Sequence, residues 1–378
     1  MDRILIFCPA SNGGVADYAH YQAEALTEQN LDVLLLCPPD FPHRPVNYRR
    51  DESLPSTVLK GGSKLSRIRR LIGNILGSVK LLEKTVAREK PAAVLLATYS
   101  EYLAPLWAWR LRRLRRRGLI FGAVAHDPVR DFVVGPLWWH RRSISEGYSF
   151  LDHAFVHEEI DLDTGDPAQK VATTVIPHGP YPFPAASETR EETRKRLDIP
   201  AGVPLFLSYG HLRNGKNLDL ILKAMVFTPD AWLLVAGTEA GSGNTTSAQY
   251  RQLAAELGVA DRCRWVIAFA TPAETACYFT AADFVMLTYQ RSFRSASGVL
   301  NVAVRYRVPA VVSCGESNLG SLVVKYDLGY RIEPDDAEAI GDAMRRMIAA
   351  PPPARWDDYE RDNSWTRNAA LVKAALLP

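Results

Sequence analysis

The sequence predicts an α/β fold made of two Rossmann-like domains, each with a parallel sheet between layers of helices. Three observations support this fold class. Short apolar runs alternate with amphipathic stretches, the series restarts near residue 204, and a proline-rich, charged segment over 180–200 separates the two series. Near-continuous apolar strands separated by helices are typical of parallel sheets that are buried on both faces.

The first series is predicted to form a domain over residues 1–185. Its first strand covers 4–7 and is followed by a helix over 15–28. Further apolar runs of strand length lie at 32–37, 93–97, 119–125 and 153–157. Each run is short and is bounded by polar or turn residues, as expected of buried strands.

The second series is predicted to form a domain over residues 186–355. Its strands are expected at 205–209, 232–236, 263–267, 284–287 and 310–313. Its helices are expected at 218–225, 247–257, 272–279 and 298–306. Residues 356–378 follow a proline break and predict a helix that packs back towards the first domain. Two such domains would face each other across a cleft, with ligands beyond the carboxyl ends of the strands.

The composition excludes several classes of protein. The chain has 378 residues, which is more than one ordinary core accommodates, and 47% of them are hydrophobic. A net charge of +3 is too small to indicate a nucleic-acid partner. The five cysteines are scattered without CxxC spacing, which favours buried thiols in a reducing compartment. No apolar run approaches the roughly 18 residues of a membrane span, so we expect a cytoplasmic protein.

A glycine-rich turn over 9–14 joins the first strand to the first helix and contains Gly13 and Gly14. Such a turn lets a ligand approach the backbone and directs the helix N-terminus at an anion or a sugar hydroxyl. The spacing is not GxGxxG, which disfavours a dinucleotide. The alternative is a tight turn that only begins a helix.

His126 and Asp127 follow an apolar strand directly, so both are expected at the carboxyl end of that strand. A histidine there can bind a sugar hydroxyl, and an aspartate can act as a base or orient the histidine. The alternative is a capped loop in which Asp127 begins the next element.

The loop over 210–217 follows the first strand of the second domain and carries His211, Arg213 and Lys216. Arginine offers a fork of donors and lysine a point charge, and a following helix N-terminus adds to both. The loop therefore suits a diphosphate, the alternative being a solvated basic loop.

A second turn suited to phosphate, over 295–300, precedes the helix after Gly298. Ser297 and Gly298 at a helix start can present a hydroxyl and free backbone N–H groups. The alternative is an ordinary serine cap.

The order of these features resembles the family 4 glycosyltransferases of GT-B fold. The segments that carry the resemblance are the glycine loop at 12–16, the His126–Asp127 pair, and residues 175–179, 210–216, 281–283 and 297–300. Together they span most of the chain.

The resemblance implies that the second domain binds a UDP- or GDP-sugar and the first domain an acceptor, with chemistry that needs no metal and no cofactor. By position, Lys216 and the Gly298 turn would hold the diphosphate, and His126 would contact the transferring sugar. Lys216 would neutralise the charge that develops on the leaving group. The other donor-binding residues implied are Gly14, His211, Arg213, Arg294, Ser297, Val299 and Leu300.

The chain departs from the family at two places. The family's pair of glutamates falls near Arg294 and Val302, neither of which is acidic, and the arginine of the family's basic loop is His211 here. An inverting reaction would require a base, for which the candidates are Asp17, Asp127 and Asp131.

Two stretches combine tryptophan with arginine, at 107–117 and 137–142. Such stretches suit an anionic membrane surface, although a buried tryptophan face with a solvated arginine face explains them equally well. Together with these stretches, the resemblance implies a metal-independent glycosyltransferase that uses a glycan or lipid-linked acceptor in cell-surface polysaccharide or glycolipid synthesis, with peripheral membrane contact. The alternatives are a nucleotide-sugar epimerase or hydrolase, and an inert partner protein of the same fold.

Overall fold

The structure is a computed structural model, which describes residues 1–11, 13–56, 63–126, 133–241, 243–293 and 297–377. Its strands are β1 (Arg3–Phe7), β2 (Asp32–Leu36), β3 (Arg49–Asp51), β4 (Ala93–Leu96), β5 (Ile120–Val124), β6 (His153–Val156), β7 (Ala172–Val175), β8 (Leu205–Tyr209), β9 (Trp232–Ala236), β10 (Cys263–Val266), β11 (Phe284–Thr288), β12 (Ala310–Ser313) and β13 (Gly329–Ile332). Its α-helices are α1 (Gly14–Glu28), α2 (Lys64–Glu89), α3 (Ala108–Arg115), α4 (Leu137–Tyr148), α5 (Arg190–Arg196), α6 (Leu218–Ala224), α7 (Ser247–Glu256), α8 (Pro272–Ala281), α9 (Gly298–Arg305), α10 (Asn318–Lys325), α11 (Ala337–Ala349), α12 (Trp356–Asp362) and α13 (Trp365–Leu376). Short 3₁₀ helices cover Glu101–Leu106, Asn214–Lys216, Met225–Phe227 and Ala260–Arg262.

The chain divides into two compact units. Unit 1 consists of Met1–His178 together with Asn363–Pro378, and unit 2 consists of Gly179–Asp362. The boundary therefore lies before the proline-rich segment, slightly earlier than residue 186. The tail forms two helices rather than one, of which α12 stays with unit 2 and α13 joins unit 1.

The sheet of unit 1 has the strand order β3-β2-β1-β4-β5-β6-β7 among the described residues, and every pairing is parallel. The central strands are buried: Ile4, Leu5 and Ile6 of β1 have no exposed surface. Burial on both faces explains the continuous apolar runs in the sequence. The prediction of a parallel α/β unit is confirmed.

Helix α13 closes unit 1 by packing on α1. The buried side chain of Asn368 donates to the Tyr18 hydroxyl (2.7 Å) and to the Pro177 carbonyl (2.8 Å), and it accepts from Gln22 (2.9 Å). A Cβ at Gly122 of β5 would lie 2.9 Å from Leu376 of this helix. A Cβ there would displace the end of the Leu376 side chain, so the glycine favours the close approach of α13 to the sheet.

The sheet of unit 2 has the order β10-β9-β8-β11-β12-β13 in the described part of the chain, again with parallel pairings. Asp283 precedes β11 and forms ion pairs with Arg190 and with the buried Arg194 of α5. Its carboxylate also accepts from the backbone amide of Leu205 (2.8 Å). This pairing fixes α5 to the amino ends of β8 and β11.

All five cysteines are buried free thiols, as the sequence predicts. Among the described residues, no helix combines the length and the apolar character needed to cross a membrane.

Candidate functional site

The loop after β8 turns at Gly210, which has a φ of +95°. The amide of Gly210 donates to Ala236 (2.9 Å), and that of Leu212 donates to Thr238 (2.8 Å), so the loop stays bound to the end of β9. A Cβ at position 210 would lie 2.9 Å from the Nζ atom of Lys216. The backbone angle therefore favours glycine, and the absence of a Cβ leaves room for the lysine that folds over it.

Lys216 lies half-buried at the carboxyl ends of the neighbouring strands β8 and β11. Its Nζ donates to the Tyr209 carbonyl (2.6 Å), and its own carbonyl accepts from the Thr288 hydroxyl (3.2 Å). Burial, with a smaller contribution from the charge of Arg213, lowers the pKa of Lys216 to about 8. An opposing anion would relieve both effects, because it would replace lost hydration and offset the second cation.

The charge of Arg213 acts on both Lys216 and Tyr289, the residue that contacts the start of α9. This charge lowers the pKa of Lys216. Burial raises the pKa of Tyr289, and the hydrogen bond to Ser297 and the charge of Arg213 offset part of that rise. The Tyr289 hydroxyl lies 3.0 Å from the Ser297 hydroxyl. The two turns predicted for phosphate, after β8 and before α9, are therefore joined through the segment after β11, since the amide of Gln290 donates to the Gly215 carbonyl (3.1 Å) and Tyr289 contacts Ser297.

The N-terminus of α9 does not have the ordinary serine cap. The hydroxyl of Ser297 contacts Tyr289, and this side chain makes no capping hydrogen bond to the helix. First-turn amides of an α-helix have no partners within the helix, so Gly298 and Val299 can offer N–H donors to an anion. Gly298 is exposed and Val299 half-buried.

Three expected donor-site residues are placed differently or cannot be described. Leu300 is buried in the core and its amide donates to Ser297 within the turn, which argues against a donor contact at this residue. His211 is exposed on the loop. Arg294, like the adjacent Ser295, lies outside the described residues. Asp283, which carries part of the resemblance, lies at the amino end of β11, away from Lys216. There it forms the ion pairs with Arg190 and Arg194 that hold α5.

In unit 1, His126 follows β5 and lies mostly buried. Its Nε2 is 3.1 Å from the Ala97 carbonyl, which can only accept, so Nε2 carries the proton and Nδ1 is the acceptor. Burial and, to a lesser extent, the charges of His157 and His178 lower the pKa of His126 to about 3. The imidazole is therefore neutral at physiological pH and suits hydrogen bonding better than acid catalysis.

His126 belongs to an aromatic cluster around Tyr18. The ring centroid of Tyr18 lies 4.9 Å from His126, 5.4 Å from His157, 5.2 Å from His178 and 4.9 Å from Trp365. His126, His157 and His178 each follow a strand, and those strands, β5, β6 and β7, are neighbours. Of these three histidines, only His126 is predicted from the sequence to contact the sugar, although all three share the position after a strand.

Asp17 lies in the first turn of α1, where its Oδ1 is 2.7 Å from Nε2 of His43. His43 in turn stacks on His20 with centroids 4.4 Å apart. Helix α1 begins at Gly14, after Gly13 with a φ of +76° and no side-chain cap. The other acidic candidates, Asp127 and Asp131, and the loop residue Asn12 lie outside the described residues.

Similarity to a known family covers the site residues of unit 2. Residues 189–371 match the family described as glycosyl transferases group 1. Residues 189–371, called the group 1 domain below, are therefore similar to this family over slightly less than half of the chain. The group 1 domain contains the Lys216 loop, Tyr289 and the start of α9.

Curated proteins similar to the chain include the D-inositol 3-phosphate glycosyltransferase of Corynebacterium aurimucosum, which is 27% identical over 171 residues, 44% of this chain and 39% of the relative. The chain thus matches less than half the length of that relative.

Solved glycosyltransferases share the whole fold. The enzyme from Rickettsia africae has a TM-score of 0.69 at 13% identity, covering 100% of this chain and 99% of its own. Anabaena Alr3699/HepE in complex with UDP-glucose has a TM-score of 0.62 at 14% identity, covering 99% and 95%. The group 1 domain is therefore one part of a GT-B fold that extends over the chain.

Proposed function

We propose that this protein transfers a sugar from a UDP- or GDP-sugar to a glycan or lipid-linked acceptor, as part of cell-surface polysaccharide or glycolipid synthesis at the cytoplasmic face of the membrane. The observation that carries the proposal is the joined anion site of the group 1 domain: Lys216 and Arg213 beside the uncapped start of α9. The donor in the Anabaena structure, UDP-glucose, has the diphosphate chemistry that this site suits.

The proposed role of unit 2 follows from the charges of the site. Lys216 and Arg213 hold the diphosphate, and the amides of Gly298 and Val299 add donors from the helix N-terminus. When the bond to the sugar breaks, negative charge develops on the leaving diphosphate. A cation already held in place stabilises that charge without reorganisation.

The proposed role of unit 1 is to bind the acceptor and the transferring sugar. Neutral His126 accepts a hydrogen bond from a sugar hydroxyl through Nδ1, since its Nε2–H is used by Ala97. If the reaction inverts the anomeric centre, Asp17 is the candidate base among the residues that the structure describes, and His43 holds its carboxylate. Asp127 is the second candidate, and the reaction uses neither a metal nor a cofactor.

Product analysis tests the proposal and separates its rivals. Purified protein is incubated with UDP- and GDP-sugars, with and without octyl glycosides and inositol phosphate as acceptor probes, in the presence of EDTA. Release of UDP or GDP only with an acceptor supports transfer. Release of UDP or GDP without an acceptor indicates a hydrolase, and formation of a different nucleotide sugar indicates an epimerase. A protein that binds none of the nucleotide sugars is an inert partner.

Donor affinity is expected to fall as pH rises above about 8. The pKa of Lys216, lowered to about 8 by burial, means that the free protein loses this charge above that pH, whereas a bound diphosphate raises the pKa and retains the proton. Binding should therefore take up a proton between about pH 8 and 9. Calorimetry in buffers of different ionisation enthalpy measures this uptake, and Lys216→Arg, always charged, should remove it.

The surface of unit 1 supports the proposed membrane contact in part. Trp107 is buried, but Trp109 is 48% exposed and Trp138 is 63% exposed. Several arginines of α3 have structural roles, pairing with carboxylates: Arg110 with Glu83, Arg112 with Glu146, and Arg115 with Asp152. The exposed tryptophans would meet the lipid together with Arg113, Arg116 and Arg117, for which no carboxylate partner lies among the described residues.

Sedimentation with vesicles is expected to rise with the fraction of phosphatidylglycerol and to fall with salt. Trp138→Glu should reduce it, because a charge replaces an interfacial ring. Phe269→Glu, at an 80% exposed aromatic residue of unit 2, is the matched control. Sedimentation that is indifferent to anionic lipid would refute membrane contact.

A further inference from the structure

Unit 1 contains a cavity of about 380 Å³ at the carboxyl ends of the adjacent strands β1 and β4, beneath α2 and the start of α3. Its size is that of a small-molecule site, for which roughly 300–1,000 Å³ is typical. Its lining is mainly apolar; the described residues around it include Phe7, Pro9, Leu71, Ile75, Val79 and Trp107. An apolar ligand group is therefore what the cavity suits.

One face of α2 forms the roof. Leu71, Ile75, Val79 and Leu82 recur at helical spacing and all line the cavity. Val79 and Leu82 are buried, whereas Leu71 is 48% exposed. The same helix face thus runs from the cavity interior to solvent, which makes the Leu71 end the entrance.

The entrance continues outward as an apolar track. Leu65, Ile68 and Leu71 are spaced three residues apart on α2, so they lie along neighbouring positions of the helix surface, and all are exposed. Arg69 and Arg70 beside them are also exposed. An apolar track with adjacent positive charge suits a chain attached to an anionic head group or lying in an anionic lipid surface.

The inner end of the cavity adjoins the residues expected to act on the sugar. Thr98 lines the cavity, and its neighbour Ala97 accepts the hydrogen bond that fixes His126. Ala10, also in the lining, begins the turn that leads to α1. A chain in the cavity would therefore leave its polar end close to His126 and the N-terminus of α1.

We propose that this cavity binds the aliphatic chain of the acceptor, so that the acceptor is lipid-linked rather than a free glycan. The proposal rests on the proposed transferase function for the word acceptor, but the cavity and its occupant can be tested without it. Leu65, Ile68 and Leu71 guide the chain, and the cavity holds it with its polar end towards His126.

The test uses 11-(dansylamino)undecanoic acid as the probe and the full chain as the protein. Saturable binding with a blue-shifted emission is expected. Ser78→Phe, inside the cavity, and Asn74→Phe, at a half-buried lining position, should each weaken binding by about tenfold or more because the added ring occupies the chain's space. Lys80→Ala, on the exposed face of the same helix, should bind as the wild type does.

Calorimetry with UDP and GDP separates this proposal from the proposed function. Both filling variants should bind the nucleotide like the wild type, and an unchanged circular dichroism spectrum and thermal unfolding transition should show that unit 1 is folded. Probe binding that is absent from the wild type, or unchanged in a folded filling variant, overturns the cavity assignment. If the wild type binds the probe but no nucleotide, and a folded filling variant loses the probe, the cavity assignment stands and only the transferase function is overturned.

Discussion

Replacing Lys216 with alanine is expected to weaken binding of the nucleotide-diphosphate sugar by about 10- to 100-fold, the effect of losing one charge-assisted contact of about 1.5–3 kcal/mol. Turnover should fall by about 100-fold or more, as when a donor to a developing anion is removed. The reason is positional. The lysine lies at the carboxyl ends of β8 and β11, beside Arg213, and its ammonium is poorly solvated before the anion arrives.

The matched control for this substitution is Lys223→Ala. Lys223 is exposed on α6, where it pairs weakly with Asp219 at 3.6 Å, so its removal should change neither affinity nor turnover. Calorimetry with UDP- and GDP-sugars measures the affinity, and nucleotide release measures the turnover. Full affinity in folded Lys216→Ala would show that the diphosphate does not bind at this loop.

Central strands could be predicted from the sequence almost residue by residue. The apolar runs at 205–209 and 232–236 coincide with β8 and β9, because strands covered on both faces must be apolar throughout. The strands that the sequence analysis did not identify, β3, β7 and β13, lie at sheet edges and are partly exposed. Arg49, Arg50 and Asp51 of β3 show why: a solvated edge leaves no apolar signal.

Helix α2 illustrates a second limit. Its first turns carry exposed leucine and isoleucine next to arginine. Because the apolar and charged residues are mixed, the sequence indicates a charged patch and does not indicate a helix that lines a cavity. Only the position of α2 over β1 and β4 gives Ile75 and Val79 their role. That position depends on strand order, which local pattern does not encode.

Some residues of the candidate sites could be predicted from the sequence, whereas others are brought together only by the fold. Lys216 and Gly298 could be predicted because each lies in a turn between a strand and a helix, where anions bind. Tyr289, in the segment that joins those turns, is a buried aromatic residue with no motif of its own. The cluster of His126, His157 and His178 depends on β5, β6 and β7 being neighbours, and that order appears only in the fold.

Replacing His126 with alanine is expected to lower kcat by about 10- to 100-fold while leaving donor affinity nearly unchanged. The ring offers one acceptor, Nδ1, whose orientation is fixed by the Nε2 hydrogen bond to Ala97 and by the edge contact with Tyr18. Such a contact matters most when the sugar changes shape in the transition state. His153→Ala is the control, since His153 is also half-buried and bonded, to Thr174.

The pH profile distinguishes hydrogen bonding from acid catalysis at His126. Because the pKa is lowered to about 3, the imidazole gains a proton only far below physiological pH, and wild-type kcat should show no acid limb from this group between about pH 5 and 8. His126→Asn should recover part of the lost turnover, since its amide can donate to Ala97 and its carbonyl can still accept. A wild-type limb near pH 6.5 that disappears in His126→Asn would instead make His126 a proton-transfer group, and the neutral-acceptor role would then be wrong.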